Sequence, residues 1–377
     1  MRALQIVIVA GLVLAAPAHA QTANVTLYGR LNLDVEVVNG KQGGNDCPDN
    51  CPNPNQYRVS SNASMFGVRG VEPLGGGLNA IFQIESKLFL DTGGGVLAGR
   101  ESFLGVQGPW GTAKLGFFLS PYDDIQPIFG NASTLTTSIL STGALWAQAY
   151  LGPALAGGFD GRLANSLRYD SPTIAGFNGS VQYSTAEGSP TTRSGIVSAG
   201  GFYNNGPLQL GVAYELHHNI RGTIDAPLSD AAFSVAGGYQ FEAVRVGGVY
   251  ERLRYDVTPS TEVTRDFYGV GVTVDAGPGL LFAYWGRAGN GKGSAANGSG
   301  VGGLVKGENT GATQWELSYT YLMSARTLLY GGYVKINNQS NASYTFDANP
   351  YPVICGAYPN GNCGRPGGFI LGAVHFF

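Results

Sequence analysis

Apolar and polar residues alternate one for one along much of this chain. Between Val25 and Val37 the odd positions read Val, Leu, Gly, Leu, Leu, Val, Val. The even positions are Thr26, Tyr28, Arg30, Asn32, Asp34 and Glu36. Successive side chains of an extended strand point to opposite faces, so this segment has one greasy and one polar face. Comparable segments lie near 24–38, 58–72, 78–90, 100–108, 112–119, 162–171, 176–185 and 194–204. They continue near 207–216, 230–241, 243–255, 263–275, 279–289, 311–323, 325–337 and 367–377, about sixteen strands in all. Every second connection is a tight turn, such as Pro73 to Gly77, Pro109-Trp110-Gly111, Asn205-Gly206 and Ala276 to Gly279. The others, including 39–57, 91–99, 120–161, 256–262, 290–310 and 338–366, are expected to be long polar loops.

A greasy face on every strand, with turns at one end and loops at the other, predicts an all-β transmembrane antiparallel barrel. Lipid offers the backbone no hydrogen-bond partner, so a membrane sheet must close on itself. Sixteen strands enclose a channel wide enough for water. Aromatics on the greasy face would form interfacial girdles; the alternation assigns there Phe82, Tyr169, Phe177, Tyr183, Tyr214, Phe233, Tyr239, Tyr250, Tyr268, Phe282, Tyr284, Trp315, Tyr319, Tyr321 and Tyr330, with Phe103 or Leu104.

The termini fit the same picture. Arg2, the apolar run Leu4–Ala16 and Ala18-His19-Ala20 read as a signal peptide over residues 1–20, which leaves 21–377 as one barrel domain. No later segment is a transmembrane-helix candidate. The last alternating segment ends on Phe377, a form suited to an outer-membrane assembly signal. Only 12% of residues are charged, about half the usual share. The net charge of -3 becomes -4 without Arg2, because 21 basic residues then face 25 acidic ones. No basic block points to nucleic acid. Export makes disulfides the expected state of the cysteines. The local pairs Cys47–Cys51 and Cys355–Cys363 are favoured over the crossed pairings, and a four-thiolate metal site is the rival.

Several stretches resemble the general porin family of Neisseria, Burkholderia and related proteobacteria. These are Val25 to Gly29, Ser64 to Glu85, Asn165 to Pro172 with Gly176-Phe177, and Gly372 to Phe377. The resemblance covers essentially the whole mature chain. It implies a homotrimer of sixteen-stranded pores for small hydrophilic solutes and ions, set among outer-membrane lipid and lipopolysaccharide. It also implies that the third loop, here 120–161, folds into the barrel and narrows it. One departure stands out: relatives carry Gly-Arg-Gln on the strand entering that loop, whereas this chain reads Gly116-Phe117-Phe118.

A pore selects by width and by the charges at its narrowest point. Alternation puts Arg30, Asp34 and Glu36 on the polar face of the first strand, and Arg69, Glu85, Lys87 and Lys114 on the next ones. Asp123 and Asp124 open the third loop; Arg162 and Arg168 flank its far end. The basic members give a lean towards anions. Enzymatic chemistry is not expected: no Gly-x-Ser-x-Gly elbow accompanies the mature histidines His217, His218 and His375. His217 and His218 are expected to be solvated loop residues rather than metal ligands, and Gly291–Gly303 lacks the ending of a phosphate loop. No cofactor or metal is called for. Two other functions fit the pattern: a channel specific for carboxylates or sugars, and a surface or adhesive protein that uses the barrel as an anchor.

Overall fold

A computed structural model describes residues 24–40, 54–131, 135, 137–147, 158–187, 194–351 and 364–377. The proposed signal peptide and all four cysteines lie outside them. Among the described residues, sixteen strands form one closed antiparallel barrel. They are β1 (Asn24–Asn39), β2 (Gln56–Ser61, resuming as Met65–Gly75), β3 (Leu78–Leu88), β4 (Ser102–Gly108), β5 (Gly111–Leu119) and β6 (Arg162–Asp170). Next come β7 (Phe177–Thr185), β8 (Gly195–Asn205), β9 (Leu208–His218), β10 (Ser229–Phe241) and β11 (Val244–Thr258). The circuit ends with β12 (Thr261–Ala276), β13 (Gly279–Ala288), β14 (Ala312–Leu322), β15 (Thr327–Asn338) and β16 (Gly367–Phe376). No described helix is long and apolar enough to cross a membrane, which says nothing about strands.

Closure comes from β1, which pairs with β2 on one side and β16 on the other, in register from Arg30↔Phe376 to Asn39↔Gly367. Beyond β16, Gly29 and Phe377 exchange two backbone hydrogen bonds of 3.1 and 3.2 Å. A Cβ at position 29 would strike the Phe377 ring, so glycine there gives the terminal ring its seat. The ladder is interrupted once in β2, at Asn62-Ala63-Ser64, where Ala63 is left-handed at φ 49°. The Ser64 hydroxyl repairs the gap, donating to Asn32 O at 3.0 Å and accepting from Asn32 N at 2.9 Å.

The outer face is apolar: Leu27, Val59, Ile84, Leu104, Leu115 and Leu371 are each more than 45% exposed. In a soluble protein that would be a liability; in lipid it is the buried face. Two aromatic rows border it. One holds Tyr250 and Tyr268 (ring centroids 5.3 Å apart), then Trp315, Tyr333 and Phe369 (5.1 and 4.5 Å). The row at the turn end holds Phe177–Tyr203 and Tyr239–Phe241 (4.4 and 4.5 Å). Leu104, not Phe103, faces outwards.

Three aromatics assigned to the greasy face point inwards instead. Phe282, Tyr284 and Tyr330 are almost fully buried, the two tyrosines hydrogen-bonded to Thr142 O and to Asn32 and Asp34. They follow the alternation of their own strands, but an aromatic on the lumen face looks the same in sequence as one in a girdle. The 256–262 connection is a tight turn between β11 and β12 rather than a long loop.

Phe377 should matter for closure. Phe377→Ala empties the seat at Gly29; its half-exposed ring should contribute about half of the ~3–5 kcal/mol lost on truncating a buried Phe. The folded, heat-modifiable band on unboiled gels should weaken, and its melting temperature should fall.

Candidate pore constriction

The largest buried apolar cluster lies inside the barrel, not in its wall. Loop 120–161 leaves β5 and enters the lumen as a 3-10 turn (Asp123–Ile128) and a second short one (Thr142–Ala144). Tyr122, Ile125, Phe129, Ile139, Trp146 and Phe159 are at most 1% exposed, packed on inward residues of β9 to β15. Two glycines shape this seat. A Cβ at Gly247 would strike Ile128 O, and one at Gly271 would strike Phe129 O.

Hydrogen bonds fix the loop's position. Glu251, on β11, accepts from Tyr122 OH and from Ala147 N, each at 2.8 Å, and forms a fully buried ion pair with Arg265 on β12 at 2.7 Å. Trp146 Nε1 donates to Ser234 at 3.1 Å, while Tyr122 stacks on Trp146 at 5.4 Å. Asn131 reaches Glu316 and Gln314 reaches Ser141 O, at 3.1 and 2.8 Å. His217 belongs to this wall too. It is buried against Phe159 and lies 2.8 Å from Glu215, so it is not the solvated loop residue expected from sequence. The sequence signal that it faces inwards is its place in phase with Glu215 on β9.

The described parts of the loop pack mainly on β9 to β15; they also reach Asn62 O through Thr137, Ser198 through Tyr122 N and Arg168 through Asp124. The inward cations lie on or beside β1 to β6. Arg30 donates to Ala63 O at 3.0 Å, and Arg69 lies over the Tyr28 ring at 4.9 Å. Repulsion couples Arg30, Arg100 and Arg162, and the last two also act on Lys87. Lys114 sits over Phe103 and Phe118 at 5.2 and 5.1 Å and pairs with Asp170 at 3.3 Å. Thus Phe118 packs beneath a lysine.

The carboxylates divide into two groups. Asp34 and Glu36 point inwards but are locked away: Asp34 accepts from Asn62 and Tyr330, and Glu36 pairs with Arg58 at 2.6 Å. Glu85 accepts from Tyr28 at 2.9 Å and pairs with Arg100 at 3.3 Å. Asp124 pairs with Arg168 at 2.5 Å. Asp123 is half-buried at the passage, facing Arg162. Burial, reinforced by the Asp124 carboxylate, pushes its carboxyl up to about 8. Arg100 and Glu101 were not among the residues expected from sequence. Both fall in the segment 100–108 expected as a strand, but β4 begins at Ser102 and leaves them in the preceding loop.

No described group of His, Cys, Asp or Glu could hold a metal ion. What remains is a barrel lumen holding an inserted loop, with inward cations on or beside β1 to β6. The sequence profile described as Gram-negative porin matches residues 6–341. The chain belongs to this family. An outer membrane porin protein of Bordetella pertussis is 29% identical over 363 residues, covering 85% of this chain and 91% of that one. Major outer membrane protein P.IB of Neisseria meningitidis is 33% identical over 218 residues, covering 56% and 59%. The anion-selective porin from Comamonas acidovorans superposes with TM-score 0.72 at 21% identity, covering 94% of this chain and all of that one. This porin is therefore an outer-membrane β-barrel and a passive channel rather than an enzyme.

Glu251 anchors the loop. Glu251→Ala leaves Arg265 buried and unpaired, which should cost about 3–5 kcal/mol, and frees Tyr122 and Ala147. Single-channel traces should become noisier and show several conductance levels where the parent porin shows one.

Proposed function

We propose that this porin is a passive diffusion pore for small hydrophilic solutes and ions, narrowed by loop 120–161 and weakly selective for anions. The observation that carries the reading is the collection of Arg30, Lys87, Arg100 and Arg162 within electrostatic reach of one another on the open side of the loop. Glu85 is engaged with Arg100, and Asp123 is largely neutral near pH 7, so the local field is positive. The anion-selective neighbour of like fold is consistent with it. Pore-facing Arg69, Lys114 and Arg168, with Asp124, extend the charged lining, whereas Asp34 and Glu36 hold β1 against β2 and β15.

The same reading includes a homotrimer in outer-membrane lipid and lipopolysaccharide. Support comes from the exposed aliphatic outer face of β1 to β5, and from a neighbour, OmpT of Vibrio cholerae, recorded in trimer form. Removal of residues 1–20 on export and the disulfides Cys47–Cys51 and Cys355–Cys363 complete it.

A unit charge ~10 Å from the ion path in water contributes ~0.4 kcal/mol. Neutralising Arg30, Arg100 or Arg162 should therefore lower the anion-to-cation permeability ratio about twofold each after screening. Reversal potentials in a KCl gradient measure this; an unchanged ratio in all three would remove the assignment. Asp123 adds a pH dependence. Its carboxyl is neutral below about 8, so anion preference should fall as pH rises through that value. Asp123→Asn should abolish the fall.

A further inference from the structure

Towards the turn end of the lumen, beneath the 3-10 turn Asp123–Ile128, lies a cavity of about 280 Å3. Its charged groups are bonded within the protein. Arg168 is held by Asp124, Asp170 and Leu119 O, and Lys114 takes the other side of Asp170. Arg245 stands beside them, its Nη2 donating to the neutral oxygens of Pro127, Ile128 and Gln209. Three cations and two carboxylates thus surround the site.

The rest of the lining is neutral. Asn178, Ser180, Asn204 and Gln209 point into the cavity from β7, β8 and β9. Ser180 Oγ is buried without a partner, and no protein group occupies the side-chain amides of Asn178 and Asn204 among the described residues. Gln209 is held by Arg245 through its oxygen at 2.7 Å, which leaves its amide nitrogen available. Phe202 supplies one apolar surface, its ring fixed against Gly200 and Gly211. Unpaired amides and a hydroxyl around one fixed aromatic ring suit a guest with many hydroxyls and an apolar face. The volume sits at the lower end of small-molecule sites, about 300–1,000 Å3, and limits the guest to one ring.

We propose that this cavity is a low-affinity subsite for a neutral, polyhydroxylated single-ring solute such as a hexose, met after the cationic passage. The proposal rests on the chain acting as an open pore. Its amides and hydroxyl replace part of the solute's hydration shell, while Phe202 covers the apolar face of the sugar ring. The ion pairs around it are already made whereas the amides are free, so the pore gives charged and neutral solutes different resting places.

The test uses the refolded porin in liposomes, with D-glucose and gluconate as probes and KCl conductance as control. Glucose flux should saturate on the order of millimolar concentration, and gluconate flux should stay linear over the same range. Asn178→Ala combined with Asn204→Ala should raise the half-saturating glucose concentration about tenfold. Linear glucose flux through a conducting pore would overturn the subsite and leave the pore intact. Gluconate saturating at or below the glucose concentration would also overturn it, since the site would then be anionophilic. Absence of KCl conductance would instead bring down the pore reading, and the subsite with it.

Discussion

Every backbone N–H and C=O that crosses lipid must find a partner within the protein, and that requirement organises this molecule. It forces β1 to serve two neighbours, β2 and β16, so that the sheet has no edge. It explains why the chain end is fastened at Gly29 rather than left to fray. It also explains the one interruption in β2: Ser64 bonds both polar atoms of the Asn32 backbone where the ladder lapses. A soluble sheet could leave such a gap to water. Here the hydroxyl does the work of a missing strand residue, and Asn62, released by the bulge, turns in to hold Asp34.

Closure inverts the usual distribution of surface and core. The outside is apolar because lipid is its solvent, and the inside can be charged because water is. Yet the most tightly buried groups belong to neither solvent. Glu251 and Arg265 are fully enclosed between the barrel wall and loop 120–161. Burying such a pair adds little net stability against an apolar alternative, but leaving either partner alone is expensive. The pair therefore acts as a positional constraint. Tyr122 and Ala147 bond to Glu251, so the loop is committed to one location, and Gly247 and Gly271 let its backbone lie flat against the wall.

The strands were legible in sequence because period-two alternation is a property of each strand by itself. So were the inward directions of Arg30, Arg69, Glu85 and Lys87. What alternation leaves open is which of two wet-looking faces an aromatic shares, and so Phe282, Tyr284 and Tyr330 were assigned to the lipid although they line the interior. It also cannot say whether an inward charge meets water. Asp34 and Glu36 face inwards like Arg30, but partners three hundred residues away in sequence enclose them: Tyr330 for Asp34 and Asn349 for Glu36. Arg100 and Glu101 escaped notice because the sequence reads as the start of strand 100–108 there, whereas they belong to the loop before β4.

In the proposed reading, selectivity follows from asymmetry rather than from the total charge. The chain is slightly acidic overall, and the inward charges of β1 to β6 are of both signs. Loop 120–161 settles matters by covering one wall. The inward carboxylates Glu215, Glu251 and Glu316 lie beneath it, each 2% exposed or less, and so are withdrawn from the passage. The wall of β1 to β6 carries Lys87, Arg100 and Arg162, which are only partly buried. Moving the loop would therefore change more than the width of the pore: it would return carboxylates to the ion path. Loss of the Glu251 anchor should thus widen the pore and weaken the proposed preference for anions together, whereas removing a single arginine should alter preference alone. Measuring conductance and reversal potential on the same channels distinguishes the two, because only loop displacement couples them.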